Sequence, residues 1–197
     1  LTPNMPDVSI VIVNYNTREP LRRCLESIRA ERGTLEVQVI VVDNASKDDS
    51  AAMIRENFPE VLLIEPGRNT WFSGGNNLGF AQAQADVIYI LNADTRLQPN
   101  GLQTMLAYLQ AHTHVGAVTC RMEYPEGGLQ QTCSRVPRYV DLLLGYTFLG
   151  VLLQGWRNRR RHVMWYTGWD RNSTRPIEVG PGSNLLCRRE AIQRIKG

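Results

Sequence analysis

Apolar runs that end in polar clusters recur along this chain. VSIVIV (Val8 to Val13) is rich in β-branched residues and reads as a strand buried on both faces. It stops at Asn14-Tyr15-Asn16. PLRRCLESIRA then puts Leu21, Leu25 and Ile28 at helical spacing, opened by Pro20. LEVQVIVVD predicts a second strand ending at Asp43, DSAAMIRENF a helix and EVLLIE a third strand. The stretch NTWFSGGNN reads as a loop, with a short helix from Leu78 to Gln84 behind it. VIYIL is the next strand and stops at Asn92-Ala93-Asp94-Thr95. QPNGLQTMLAYLQAH predicts a helix and VGAVTC a further strand.

This alternation of strand and helix implies an α/β fold with a Rossmann-like, mostly parallel central sheet flanked by helices. Ligands of such sheets bind at the carboxyl ends of the strands. Three polar clusters lie at such ends: Asn14-Tyr15-Asn16, Asp43-Asn44, and Asn92 with Asp94. From about residue 121 the character changes. RMEYPEGGLQQTCSRVPR is loop-like, YVDLLLGYTFLGVLLQGW is strongly apolar and RNRRRH is basic. PIEVGPGSNLLCRREAIQRI then reads as a turn, a short strand and a helix.

A length of 197 residues suits one domain with a sizeable core. With 22 basic and 19 acidic residues, the net charge of +3 is too small to argue for nucleic acid. The basic run also has no stacking or groove-reading motif beside it, so no nucleic-acid partner is expected. Cys24, Cys120, Cys133 and Cys187 are widely spaced with no CxxC, which disfavours a disulfide framework or zinc site and suits a reducing cytosol. LTPNMPD lacks the basic and apolar regions of a signal peptide. The start at Leu1 and the end at REAIQRIKG suggest a fragment of a longer protein.

Common phosphate readers are missing. The first strand is followed by NYNTREP, with no glycine where a dinucleotide fold needs GxGxxG or a pyrophosphorylase its glycine-rich loop, and no GxxxxGK[ST] occurs. Asp43 suits a hydrogen bond from a pyrimidine N–H or a ribose hydroxyl; alternatively it or Ser46 caps the following helix. Asp48 and Asp49 read as first-turn acids complementing that helix. Gly74 and Gly75 would let backbone approach a ligand closely, with Asn76 and Asn77 offering amides; the bland alternative is a glycine turn with an Asn cap. Trp71 and Phe72 suit core or a stacking surface equally. At Asn92-Ala93-Asp94, one carboxylate with an amide nearby suffices for Mg²⁺ or Mn²⁺ when a diphosphate supplies other ligands.

Taken in order, VSIVIVNYN, VVDNASKDDS, NTWFSGGNNLGFAQA, ILNADTRLQP and VGPGSNLLCRREAI resemble the family 2 glycosyltransferases of GT-A fold, most closely their bacterial rhamnosyltransferase-like branch. The resemblance covers nearly the whole chain and implies a nucleotide-sugar-binding α/β region over 1–120 and a partial acceptor-side region of the same domain over 121–197. It implies that Val13, Asn14, Tyr15, Asn16 and Asp43 hold the base and ribose, that Gly74, Gly75, Asn76 and Asn77 line the same pocket with Asn92, and that Asp94 is the metal ligand. Asn92 stands where the family's DxD motif has its first acid, and Ala93 where this branch often has Pro. The GGFDE and ED stretches expected after NLLCRREAI, the last supplying the catalytic base, do not follow, so no base is assigned. The implied reaction is an inverting, metal-dependent transfer of a sugar, L-rhamnose first among candidates, from a dTDP- or UDP-sugar to a glycan or lipid-linked acceptor. The second reading is a non-catalytic nucleotide- or glycan-binding module. A nucleotidyltransferase is disfavoured by the glycine-free first loop.

Leu142 to Trp156 is too short to span a bilayer, which needs about 20 residues. Followed by Arg157, Arg159, Arg160 and Arg161, it suits an interfacial helix on anionic lipid, or a core or dimer helix with a solvated basic end. A cytoplasmic protein, peripheral at the inner face of the membrane in the first case, is the corresponding expectation; an oligomer is compatible with the second. Arg188 and Arg189 could reach phosphate or acceptor, or sit solvated at a helix start. His112 and His114 read as helix C-terminal caps.

Overall fold

A computed structural model describes residues 5–195. Contacts divide the chain into two units. One holds the chain up to Cys120 together with the segment from Gly182 onward, and the other is Arg121–Pro181.

The first unit is built on the apolar runs. β1 (Val8–Asn14) lies in the centre of the sheet, paired in parallel with β2 (Val37–Asp43) on one side and β4 (Val87–Asn92) on the other. β3 (Leu62–Ile64) extends the sheet beyond β2. The two faces of β1 explain its apolar run from Ile10 to Val13. Ile10 and Ile12 join a core with Leu21, Leu25 and Ile28 of α1 (Arg18–Glu31), Met53 of α2 (Ser50–Asn57) and Leu102 of α4 (Gly101–Ala111). Val11 faces the other way, clustering with Ile40, Ile88 and Ala83. Burying each such side chain contributes about 1.5–3 kcal/mol, so the central strand could not carry a polar stripe.

The sheet order is β3-β2-β1-β4-β6-β5. β6 (Asn184–Arg188) inserts antiparallel beside β4, and β5 (Ala117–Val118) pairs antiparallel with β6 at the edge. The strand expected in VGAVTC is therefore only two residues long and does not touch β4. The NLLCR segment, grouped above with the acceptor-side region, is instead part of the sheet, followed by α8 (Arg189–Arg194).

α3 also differs from expectation. It runs Trp71–Gln82, so the presumed glycine loop is the first half of a helix. Packing overrides the poor helix propensity of glycine. A Cβ on Gly75 would lie 2.9 Å from both Cγ atoms of Val13, and one on Gly79 would lie 2.3 Å from Val11 Cγ1. Only glycines let this helix lie so close to β1.

The second unit contains α5 (Tyr139–Tyr146), α6 (Leu149–Leu152) and α7 (Gln154–Met164). Asp141 accepts the Arg138 N–H at 2.8 Å, opening α5, and pairs with Arg160 of α7. A two-way bridge joins Ser134 and Val179. Among the described residues no helix is long and apolar enough to cross a membrane. The apolar stretch is not core: Tyr146, Phe148, Val151 and Leu152 are each at least 71% exposed, and only Leu144 and Gly150 are buried.

Candidate functional site

Sheet order reverses between β1 and β4. The chain steps from β1 out to β2 and β3, then returns to the opposite side of β1. A crevice opens at the carboxyl ends where such a reversal occurs. Asn14 and Asp43 are register partners at the ends of β1 and β2, and Val13 is the partner of Asn92. Register alone thus gathers four of the expected residues on one sheet edge.

Asp43 is buried and is the hub of this edge. Its Oδ1 accepts from Asn14 Nδ2 at 2.7 Å and from the Ser46 hydroxyl at 2.6 Å, and its Oδ2 accepts the Ser46 N–H at 3.0 Å. A carboxylate has about four lone-pair sites, so Oδ2 keeps room for one more donor. Asn14 is equally tied, since its Oδ1 accepts from Thr17 Oγ1 at 2.6 Å. Asn16 has φ 54° and binds the next loop twice: its N–H donates to Ser46 Oγ at 2.9 Å and its Oδ1 accepts the Lys47 N–H at 2.7 Å. The loops after β1 and β2 therefore form one wall. Tyr15, half exposed on it, presents its ring to solvent. Neither Asp43 nor Ser46 caps α2, which begins at Ser50.

Asp48 and Asp49 also lie ahead of that helix. Asp48 accepts the Arg18 N–H at 2.7 Å at the start of α1 and the Ser50 hydroxyl. Burial works against its ionisation, yet these donors hold its carboxyl below the usual carboxylate range.

The role of Asn44 was not anticipated. It is buried; its Oδ1 accepts both the N–H and the hydroxyl of Thr70, and its Nδ2 donates to the Trp71 carbonyl. It fixes the start of α3 to the end of β2. Trp71 is 78% exposed with φ 61°, a left-handed conformation uncommon for a bulky residue. It is a surface residue, not core. Along α3, Gly74 is half-buried, Gly75 is packed on Val13, and Asn77 is exposed. Asn76 is buried; its Nδ2 donates to the Phe72 carbonyl, while its Oδ1 has no partner among the described residues.

β4 ends in a turn closed by the Thr95 N–H on the Asn92 carbonyl at 3.1 Å, and Leu97 N–H anchors the following segment to Ser27 Oγ at 3.0 Å. The turn leaves Asn92 half-buried and Asp94 exposed. Burial pushes the nearby Cys24 thiol up to about 12, and the charge of Asp94 adds to the rise. Among the described residues no group of three or more His, Cys, Asp or Glu is placed to hold a metal ion. One exposed carboxylate with an adjacent amide suits a hard cation that keeps water and phosphate ligands; it does not suit an all-protein cage.

Arg188 and Arg189 are used elsewhere. Arg188 donates to the carbonyls of Val115 and Leu109 behind α4, and Arg189 to those of Ala83 and Ala85 behind α3. His112 is the residue after α4, with Nδ1 2.8 Å from the Tyr108 carbonyl. None of the four cysteines forms a disulfide. A cavity of about 80 Å³ under Leu25, Ile28 and Val37 lies at the opposite strand ends and is too small for a nucleotide.

The sequence pattern of Glycosyl transferase family 2 matches residues 9–196. The chain belongs to this family. The succinoglycan biosynthesis protein ExoO of Rhizobium meliloti (strain 1021) is 34% identical over 103 residues, covering 52% of this chain and 29% of that protein. The undecaprenyl-phosphate 4-deoxy-4-formamido-L-arabinose transferase of Klebsiella pneumoniae is 26% identical over 172 residues, covering 82% of this chain and 51% of that protein. The chain thus spans about half or less of these relatives. Among solved structures, the mannosyltransferase PcManGT of Pyrobaculum calidifontis, in complex with GDP-Man and Mn²⁺, superposes with a TM-score of 0.63 at 20% identity, over 99% of this chain and 48% of that one. TarS 1–349 of S. aureus gives 0.61 at 16% identity, over 95% and 48%. The fold is GT-A, an α/β sheet flanked by helices, as the order of motifs implied.

Proposed function

We propose that this family 2 chain is the nucleotide-sugar-binding part of an inverting, metal-dependent glycosyltransferase. Its donor is a dTDP- or UDP-sugar, with L-rhamnose first among sugars, and its acceptor a glycan or lipid-linked glycan. One observation carries the reading: Asn14, Asp43 and Asn92 stand at three strand ends on both sides of the switch point, with the Asp94 carboxylate exposed on the turn beyond. The free site on Asp43 Oδ2 suits a base N–H or ribose hydroxyl, and Tyr15 offers a ring for stacking. Asn76 Oδ1 and Asn77 supply further polar groups from α3. Asp94, with the Asn92 amide, would hold Mg²⁺ or Mn²⁺. Such an ion neutralises charge gathering on the departing nucleoside diphosphate. The acceptor hydroxyl would attack the anomeric carbon in line, its proton taken by a base; no described residue is assigned as that base.

Peripheral contact with the inner, cytoplasmic face of a membrane belongs to the same reading. It is supported by exposed Phe148, Val151 and Leu152 ahead of the exposed Arg159 and Arg161. The chain should cosediment with phosphatidylglycerol vesicles and not with phosphatidylcholine. Equal pelleting of wild type and a Phe148→Asp, Val151→Asp variant would remove this part.

Titration calorimetry of dTDP and UDP, with Mn²⁺ or with EDTA, tests the donor site. Binding should require metal and be lost in Asp94→Ala; in the intact transferase that variant should lose on the order of 100-fold in rate. Metal-independent binding unchanged in Asp94→Ala would refute the metal assignment. Binding of glycan with no transfer by the whole protein would favour the second reading, a binding module.

A further inference from the structure

The Arg121–Pro181 unit has a cleft of its own. It is an open depression of about 500 Å³, lined by Arg135, His162, Tyr166, Thr167, Trp169 and Arg175, with Val163 and Gly168. That volume falls in the range of small-molecule sites. None of the lining residues is acidic.

The two arginines are held unusually. Arg175 lies 4.4 Å over the ring of Tyr166 and 4.7 Å over that of Trp169. Arg135 lies 5.5 Å over Tyr166. The two rings meet edge to face at 6.2 Å. Tyr166 is buried, its hydroxyl accepting the Glu178 N–H at 3.4 Å, so this platform is fixed. Among the described residues neither guanidinium has an ion pair or side-chain hydrogen bond. Nearby acids are engaged elsewhere: a Glu178 carboxylate oxygen accepts the Val136 N–H at 2.9 Å, and both Asp170 oxygens accept from Asn172. Stacking covers the faces of a guanidinium and leaves its N–H edge for bidentate pairing with phosphate. Two such edges beside a histidine, with no counter-charge among the lining residues, form a receptor for an anion. The cleft is too large for one phosphate alone.

We infer that this cleft binds the diphosphate of the acceptor, with Arg135 and Arg175 as its two forks and His162 as a third donor. The inference deepens the transferase reading and rests on it for the word acceptor. The anion site itself does not depend on that reading.

The probes are inorganic pyrophosphate and geranyl diphosphate, titrated by calorimetry into the chain in EDTA, which removes the metal that the donor site needs. Wild type should bind. Arg175→Ala should bind about tenfold or more weakly, the worth of one charge-assisted fork. The Arg135→Ala, Arg175→Ala double variant should not bind measurably. Arg175→Lys keeps the charge without the fork and should fall between. Arg32→Ala, an exposed position at the end of α1 and outside the cleft, should match wild type. Both cleft arginines are exposed, so circular dichroism should show every variant folded. Tighter binding of geranyl diphosphate would identify a lipid-linked acceptor, and equal binding a water-soluble one; either supports the site. Unchanged binding in the double variant, binding lost only in Asp94→Ala, or no binding by folded wild type overturns it. Metal-dependent nucleotide binding measured on the same double variant reads the donor site separately. If that fails while the cleft binds, the transferase reading falls and the anion site stands.

Discussion

Gly79→Ala gives a sharp test of how α3 meets the sheet. At an exposed helix position this change would stabilise by about 0.8–1 kcal/mol through helix propensity. Here the new Cβ would stand 2.3 Å from Val11 Cγ1. Carbon atoms prefer about 3.5–4.0 Å, so the atom falls more than 1 Å inside contact. Val11 cannot yield easily. It is fully buried, and its strand is paired on both sides, with Ile40 and Ile90 as register partners. Overpacking of this kind costs about 1–3 kcal/mol. The upper end applies because the obstacle is a central strand, leaving a net loss of about 2 kcal/mol after the propensity gain. For a chain of this size that is a fall in Tm of about 4–8 °C. Urea and thermal unfolding followed by circular dichroism would measure it. Val11→Ala should cost less in the Gly79→Ala background than alone, with a coupling of at least about 1 kcal/mol. A Gly79→Ala protein as stable as wild type, or additive double-mutant energies, would refute the close-approach explanation.

Asp43→Ala should lower the urea midpoint by an amount equivalent to about 2–3 kcal/mol, because Asn14 Nδ2 and Ser46 lose a buried acceptor. It should also abolish nucleotide binding; unchanged affinity by calorimetry would make Asp43 a purely local brace. Cys24 keeps its proton to about 12 in the folded chain against 9.0 ordinarily. Above pH 9 the unfolded chain therefore binds fewer protons than the folded one at this site. Its contribution to stability is complete below pH 9 and is lost as pH rises towards 12. Denaturation midpoints across pH 8–11 should fall for wild type and fall less for Cys24→Ala, and a parallel decline would contradict the assignment.

Much of the first unit was legible because its strands bury both faces. β1, β2 and β4 cannot be other than apolar runs, and the polar residues that stop them mark the carboxyl edge. The helical spacing of Leu21, Leu25 and Ile28 was equally direct. α3 was misread because Gly74 and Gly75 signal a turn locally, whereas Gly75 and Gly79 answer to Val13 and Val11, far away in sequence. β6 was readable as a strand but not as a neighbour of β4, since no local pattern states an antiparallel return. Arg188 and Arg189 looked like ligand-facing cations. Their partners are carbonyls in and just beyond the last turns of α4 and α3, which no sequence position announces. Asn44 was visible beside Asp43, yet its bonds to Thr70 and Trp71 depend on where α3 begins.

β5 and β6 are neighbours in the sheet, with Val118 opposite Leu186, and the whole of Arg121–Pro181 leaves from one and returns by the other. The inserted segment is therefore a closed excursion whose ends are pinned together by the β5–β6 pairing of the first unit. Lengthening such an excursion costs little, about 0.6 kcal/mol for each doubling of a flexible loop. Changes of length within the excursion can thus leave the pairing of β5 with β6 in place. Under the proposed division of roles, a lineage could exchange one acceptor preference for another while its nucleotide chemistry stayed the same.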